Sequence, residues 1–327
     1  TYVVYGRPDV SGDKIGTSID LAQITADVGG FVINGALEND QSGYSVSGAG
    51  DVNGDGYDDL IVGAPYADPN ASGSGASFVV FGSASGSTFE LADLTTGAVT
   101  DPASGFVING YSEEDYSGFS VSGAGDVNGD GLDDLIVGSP GSDPNGELSG
   151  ASFVVFGKTD GAAIELSSIE ANSNEVPVGF MISGVAVNDT SGRSSVSGAG
   201  DVNGDGFADL LVGAPFDSPN GSSSGASFVV FGDNFTQSVT NVGTTDGETL
   251  TGTIENDIIF AGEGDDTING TSGEDRLSGG NGADVFIFSR DDGTSIITDF
   301  STMDGDQVDV SKFGFAKAHV LLVISIE

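Results

Sequence analysis

The sequence predicts an all-β protein built from repeats, and three observations carry that expectation. The block SVSGAGDVNGDG recurs unchanged at 45–56, 120–131 and 195–206, each copy 75 residues after the last. A second block, SGASFVVFG, keeps the same spacing at 74–82, 149–157 and 224–232. Beyond Gly232 a nine-residue rhythm of glycine, acidic and apolar residues takes over. Fixed periods of this kind mark stacked supersecondary units.

Within the first module, DVNGDGYDD places side-chain oxygens at loop positions 1, 3, 5 and 9, namely Asp51, Asn53, Asp55 and Asp59, with Gly56 at the sharp turn. A Ca²⁺ ion takes six to eight oxygens, and loops of this spacing supply alternate carboxylates plus one main-chain carbonyl at position 7. That carbonyl is Tyr57 here. The second copy offers Asp126, Asn128, Asp130 and Asp134 with the Leu132 carbonyl, and the third Asp201, Asn203, Asp205 and Asp209 with the Phe207 carbonyl. Position 8 is Asp58, Asp133 and then Ala208, whereas position 9 is Asp throughout, so position 8 is read as a non-ligand. An EF-hand would need Glu at position 12 and a following helix. Position 12 is Val62, Val137 and Val212 inside DLIVG or DLLVG, so the loop joins two strands. A plain turn would also use Asp, Asn and Gly. However, three carboxylates within about 4 Å repel by roughly 4 kcal/mol per pair at an effective dielectric near 20, and the loop holds no Lys or Arg to relieve them.

Composition sets bounds on partners. With 50 acidic against 8 basic residues the net charge is −42, which excludes nucleic acid and anionic membrane surfaces, since both are bound by Lys and Arg. Such a charge favours divalent cations and a compact state that repels itself until they arrive. The 54 Gly and absence of Trp point to short strands and turns. With no Cys, bound metal is the available staple for an extracellular chain. No apolar run is long enough to insert in a membrane as a helix, the longest near the end being 320–326. There is no amino-terminal signal peptide and no initial Met, so a processed or truncated piece is expected.

In chain order, TYVVYG (1–6) is a near copy of SFVVFG, so two spare strands precede the first complete module. IDLAQI (19–24) recurs as FELADL (89–94) and IELSSI (164–169), a spacing suited to one short turn packed on an edge. FVING (31–35) recurs at 106–110 and as FMISG at 180–184. Each full module thus offers four apolar runs, for example near 44–46, 60–62, 78–81 and 106–108, separated by Gly, Pro, Asn and Asp clusters. Consecutive Val, Ile, Leu and Phe predict strands covered on both faces. Four short antiparallel strands at a constant period are what a propeller blade looks like in sequence.

DxNGDGxxDLIVGAP together with FVVFG resembles the FG-GAP repeat, the blade of the integrin alpha-subunit head and of many bacterial surface proteins. The resemblance covers 1–232 and implies calcium in the hairpin between the first two strands of each blade. Three blades cannot close a ring, for which four to eight are usual. Upstream blades, other chains or an open stack would resolve this.

After a polar linker at 233–242 come GTTDGETLT, GTIENDIIF, AGEGDDTIN, GTSGEDRLS and GGNGADVFI, spanning 243–287. These resemble the RTX calcium-binding nonapeptide, whose turns stack into a parallel β-roll, here placed at 243–288. Asp257, Asp266, Asp275 and Asp284 fall at position six, which the resemblance implies to be ligating, and Glu248 takes that place in the first turn. Ile259, Ile268, Leu277 and Phe286 fall at position eight and are expected to point inward, a register that a flexible linker would not keep. From Phe286 the chain resembles the segment that closes the roll of type I secreted proteins, so 289–327 is expected to cap the roll and carry an apolar secretion end, AKAHVLLVISIE.

Catalytic signals are weak. The single His, His319, lies in that tail, far from any acidic loop, and there is no Cys, which leaves a Ser/His/Asp or Cys/His site without its base. GDGYDD lacks the Lys of a phosphate loop. Paired carboxylates for glycoside hydrolysis are not excluded by counting, but the clusters that stand out are accounted for by calcium. The expected protein is non-enzymatic, extracellular and exported by type I secretion from a Gram-negative bacterium. Its expected partners are calcium and, in an adhesive or self-assembling role, other copies of the chain or surface proteins and glycans. The alternative is a non-catalytic calcium-binding domain of a larger secreted enzyme.

Overall fold

The structure is a computed structural model that describes residues 1–5, 21, 24, 30–83, 88–95, 104–170, 177–193, 195–204, 206–235, 241–244, 246–254, 256–262, 264–290, 292 and 294–313. Most of 19–24, together with His319 and the expected secretion end at 316–327, lies outside the described residues.

Two strands open the chain, β1 (Tyr2–Val4) and β2 (Gly30–Asn34), antiparallel with Val3 opposite Phe31. The first module supplies β3 (Ser45–Gly50), β4 (Asp59–Ala64), β5 (Ala76–Val80), β6 (Phe89–Glu90), the one-turn helix α1 (Leu91–Thr95) and β7 (Gly105–Asn109). The second repeats the series as β8 (Ser120–Gly125), β9 (Asp134–Ser139), β10 (Ala151–Val155), β11 (Ile164–Glu165), α2 (Leu166–Glu170) and β12 (Gly179–Ser183). The third supplies β13 (Val196–Gly200), β14 (Asp209–Ala214) and β15 (Ala226–Val230). Sheet orders are β1-β2-β6, β11-β7-β5-β4-β3, β12-β10-β9-β8 and β13-β14-β15. The long strands of each module form the antiparallel blade its apolar runs predict. The short edge segments behave differently: β6 pairs in parallel with β2 of the preceding sheet, and β11 with β7.

Unbroken apolar runs work here because successive side chains point to opposite faces of a strand and both faces are covered. From β4 and β5, Ile61 and Val79 enter a core with Leu135, Val137 and Phe153 of the next sheet. Their neighbours Val62, Phe78 and Val80 enter a second core with Ile33 of the sheet before. The sequence ASFVV is buried throughout in β5 and β10, yet in β15 alternate residues are exposed, Val229 to 46%. Identical residues with unlike burial mark a sheet face that no further sheet covers among the described residues.

The chain divides into two compact units, one of Thr1–Ala124, Asp134–Gly198 and Leu211–Phe228, the other of Gly125–Asp133, Ala199–Leu210 and Val229–Glu327. Among its described residues the second unit contains eight further strands: β16 (Asn241–Val242), β17 (Thr249–Thr251), β18 (Ile258–Phe260), β19 (Thr267–Asn269), β20 (Glu274–Ser278), β21 (Val285–Ile287), β22 (Thr294–Ile297) and β23 (Gln307–Asp309). They form two parallel ladders, β16-β18-β20-β22 and β17-β19-β21-β23. A repeat of nine residues is half a coil, so every second repeat returns to the same sheet. Leu250 thereby pairs with Ile268, Ile259 with Leu277 and Ile268 with Phe286, and these position-eight residues fill the roll's core. The ladders continue to Asp309, with β22 and β23 drawn from the segment that closes the roll.

Replacing Phe153, 1% exposed, by Ala should lower stability by about 3–5 kcal/mol, read from the denaturant midpoint in calcium buffer. A loss under about 1 kcal/mol would mean that adjoining sheets do not share that core.

Candidate metal centres

Each acidic loop is closed by its own carboxylates. In the first, Asp51 Oδ1 accepts the amides of Gly54 (2.7 Å) and Asp55 (3.0 Å), and Oδ2 that of Gly56 (2.9 Å). Asn53 Oδ1 accepts the Asp55 amide, Asn53 Nδ2 donates to Asp55 Oδ2, and Asp55 Oδ1 accepts the Tyr57 amide. The second loop repeats this bond for bond, with Asp126 on Gly129, Asp130 and Gly131, Asn128 on Asp130, and Asp130 on Leu132. In the third, Asp201 holds Gly204 and Gly206, while Asp205 lies outside the described residues.

Position 9 has a structural duty that spacing alone does not reveal. Asp59 is fully buried, with Oδ2 on the Val52 amide (2.9 Å) and Oδ1 on the Gly82 amide (2.7 Å). The same bond joins Asp134 to Gly157 (2.8 Å) and Asp209 to Gly232 (3.0 Å). Thus the glycine that ends FVVFG meets the acid that ends the metal loop. A Cβ on Gly82 would lie 2.4 Å from the Asp58 carbonyl oxygen, so no larger residue fits this approach.

The loops share residues but not surroundings. Burial pushes the Asp59 carboxyl up to about 7 against the lowering by its two amides, and repulsion from Asp55 and Asp51 adds to the rise. Burial likewise pushes Asp126 up to about 7, with the charge of Asp130 adding to it. Burial raises Asp130 as well. Within the second unit Arg276 of β20 donates to the Gly131 carbonyl and opposes that rise, while the Phe207 ring stacks on Phe260 at 4.8 Å.

In the roll the position-six acids form two columns, both buried. In one, Asp266 Oδ1 accepts the Glu248 amide (2.7 Å), Asp284 Oδ1 the Asp266 amide (2.9 Å) and Asp306 Oδ1 the Asp284 amide (3.1 Å). In the other, Asp275 Oδ1 accepts the Asp257 amide (3.1 Å), and the next coil brings the Ser295 hydroxyl to Asp275 Oδ2. The second oxygens of Asp266 and Asp284 are buried without a hydrogen-bond partner. Burial pushes Asp284 up to about 6, with repulsion from Asp306, Asp266 and Asp299 adding to it. Asp299 accepts from the Ser278 hydroxyl and from the Gly279 and Gly280 amides.

Asp299 and Asp306 are not picked out by the nine-residue rhythm. The step from Asp284 to Asp306 is 22 residues where the preceding step is 18, so the closing coil breaks the count that identifies its neighbours.

Among the described residues no three acidic side chains converge within ligating distance of one point. Loop carboxylates turn onto amides instead. The donor set nevertheless suits a hard cation, since carboxylate, side-chain amide and carbonyl oxygens are the ligands Ca²⁺ selects. Orphaned buried oxygens at Asp266 and Asp284 point the same way, because such atoms are costly without a partner. Asp51, Asn53, Asp55 and Asp59, with their counterparts in the other loops, would hold such an ion in the blades, and Asp266, Asp284 and Asp306 in the roll. A bound cation would offset the negative charge gathered at these places.

The family model for the FG-GAP repeat matches 42–80, 117–155 and 193–230, and that for the RTX calcium-binding nonapeptide repeat (4 copies) matches 242–277, 251–286 and 262–294. The chain carries three FG-GAP repeats followed by RTX calcium-binding nonapeptides. It is accordingly a calcium-binding chain of extracellular type. The chain is similar to integrin alpha-PS2 of Drosophila melanogaster, 33% identical over 186 residues, covering 56% of this chain and 12% of that protein. Integrin alpha-7 of Mus musculus is 31% identical over 183 residues, 56% of this chain and 13% of its own length. Phosphatidylinositol-glycan-specific phospholipase D of Bos taurus is 29% identical over 219 residues, 64% of this chain and 23% of its own length. The chain therefore spans a small part of each of these relatives.

Asp306→Ala should lower the calcium stoichiometry measured by titration calorimetry, whereas Thr302→Ala, at an exposed position of the same turn, should leave it unchanged. An unaltered stoichiometry in the first variant would remove Asp306 from the metal column.

The raised carboxyls also set a pH response. Asp59, Asp126 and Asp284 bind protons more tightly folded than unfolded, so their contribution to stability is intact below about pH 4 and is lost as pH rises through about 6 to 7. Metal-free protein should melt at higher temperature at pH 5 than at pH 8. Calcium requires the deprotonated acids, so its stabilising effect should grow over the same interval. A metal-free melting temperature that rises between pH 5 and pH 8 would refute this assignment.

Proposed function

We propose that this is a secreted bacterial adhesion or structural protein whose folding is coupled to calcium outside the cell, after type I export. The observation that carries the reading is the placement of buried acids at the load points of both repeat types: Asp59 between loop and strand, Asp266 and Asp284 between coils. Where calcium is scarce these charges oppose folding and the chain stays exportable. At millimolar calcium each occupied site adds RT ln(1 + [L]/Kd), and dissociation constants of about 10⁻⁴ to 10⁻³ M suit an extracellular module. Adhesion is supported by the likeness to integrin alpha chains, and association with further copies by the open face of β15 with its exposed Val229 and Phe231. Surface proteins and glycans are the other partners such a module would engage.

No catalytic role is proposed for the chain. The match to phosphatidylinositol-glycan-specific phospholipase D favours a second reading, a non-catalytic calcium-binding part of a larger secreted enzyme.

Far-UV circular dichroism through a calcium titration tests the linkage, with magnesium for comparison. The β signal should rise cooperatively with calcium and much less with magnesium, which holds its waters and prefers strict octahedral sites. A full β signal in chelator at pH 8 would contradict folding on export.

A further inference from the structure

We propose that the nonapeptide region grades the acidic loops: Arg276 is a resident counter-charge that weakens cation binding in the second loop, and Phe260 is a clamp that strengthens it in the third. The inference rests on the calcium reading above, and adds to it two affinity-setting residues that are not themselves ligands.

The three loops share the sequence DVNGDG, so what differs between them lies in what surrounds them. In the first loop residues 54–58 are all exposed. The other two loops belong to the second unit and meet the roll there, at the glycine of position 6. A Cβ on Gly131 would lie 2.8 Å from Arg276 Nε, and one on Gly206 2.3 Å from Phe260 Cζ. These two partners come from β20 and β18, paired strands of one ladder. The same point on each loop thus receives a cation in one case and an aromatic ring in the other.

Arg276 is one of 8 basic residues in a chain of net charge −42, yet among the described residues it forms no ion pair. Side chains alternate along β20, and with Asp275 and Leu277 buried in the roll, Arg276 is turned outward to the second loop. Its Nη2 donates to the Gly131 carbonyl, while its Nε is buried without a hydrogen-bond partner. A guanidinium short of one partner keeps a charge that water does not fully cancel. Asp130, expected to ligate, is the residue before Gly131; burial raises its carboxyl and the Arg276 charge opposes the rise. By Coulomb's law the charge that steadies these acids in the metal-free loop repels a cation entering among them.

Phe260 acts with the opposite sign. Phe207 bears the position-7 carbonyl expected to ligate, and its ring stacks on Phe260 at 4.8 Å with 24° between the planes. Phe207 is 5% exposed, whereas Tyr57 at the same position of the first loop is 47% exposed. The stack fixes the residue whose carbonyl a cation needs, which removes part of the ordering cost that a free loop meets on binding. The ring brings no charge to offset that gain.

The test follows hydrogen exchange of the full chain by mass spectrometry through a calcium titration. Peptides over 51–59, 126–134 and 201–209 are told apart by positions 7 and 8, which read Tyr57-Asp58, Leu132-Asp133 and Phe207-Ala208. Arg276→Gln keeps a donor for Gly131 and removes the charge, and should lower the calcium midpoint for protection of 126–134 by about fivefold. Arg276→Lys should hold it at the wild-type value. An arginine that serves only as a structural anchor gives the reverse, a midpoint raised by Arg276→Gln. Phe260→Leu stays apolar without the stack and should raise the midpoint of 201–209 by about fivefold. Neither change should move 51–59. An unmoved or raised midpoint of 126–134 in Arg276→Gln, or an unmoved midpoint of 201–209 in Phe260→Leu, overturns the grading. If all three loops share one midpoint that shifts together in every variant, the grading fails and calcium-linked folding stands. Graded midpoints in a chain that keeps its full β signal in chelator leave the grading standing and defeat the linkage.

Discussion

Both halves of this chain depend on one tie, a buried carboxylate whose oxygen holds the backbone amide of a neighbouring element. In the blades, Asp59, Asp134 and Asp209 reach the glycine at the end of the third strand. In the roll, Asp266, Asp284 and Asp306 each reach the amide one coil earlier. Burying an ionised carboxylate costs several kcal/mol, and a charge-assisted amide bond returns about 1.5–3. The amides soften the cost without cancelling it, which is why Asp59 and Asp284 remain pushed upward despite them. A cation at these places would take up the charge that the amides leave.

The tie also explains the glycine content. The two constant blocks of each module, apart in sequence, are halves of one device, because Asp59 can reach the Gly82 amide where no Cβ intervenes. In the roll a Cβ on Gly279 would lie 2.2 Å from Asp284 Oδ2, so the repeat's leading glycine makes room for the acid five residues on. In a chain without Cys these ties stand where covalent staples otherwise would.

What was legible in the sequence follows from what is periodic. The 75-residue spacing located three hairpins and their acidic loops, and the alternation of cores at Ile61 and Val62 follows directly from unbroken apolar runs. Position-eight residues in the roll were legible because an inward residue must recur once per half coil. Features that depend on neighbours in space were hidden. The parallel pairing of Phe89 with Ile33 joins a two-residue segment to another module's sheet, which propensity over two residues cannot encode. Asp306 was hidden by a longer closing coil, and the exposure of β15 by a sequence identical to that of buried strands.

Identity of sequence does not make the three acidic loops equivalent. Twelve residues are the same in each, so the ligand types are the same, but Asn128 is fully buried while Asn53 is half-buried and Asn203 exposed. Arg276 brings a positive charge near Asp130 in the second loop, a charge that comes from the nonapeptide region and not from the repeated block itself. Coulomb energies scale inversely with the local dielectric, so like ligands in unlike surroundings do not hold a cation with equal strength. The same argument separates roll from blade, where the carboxylate columns are packed between coils and the loops stand at hairpin ends. The number of acids bounds how much cation the chain takes up, and the burial of each acid decides at what concentration it does so.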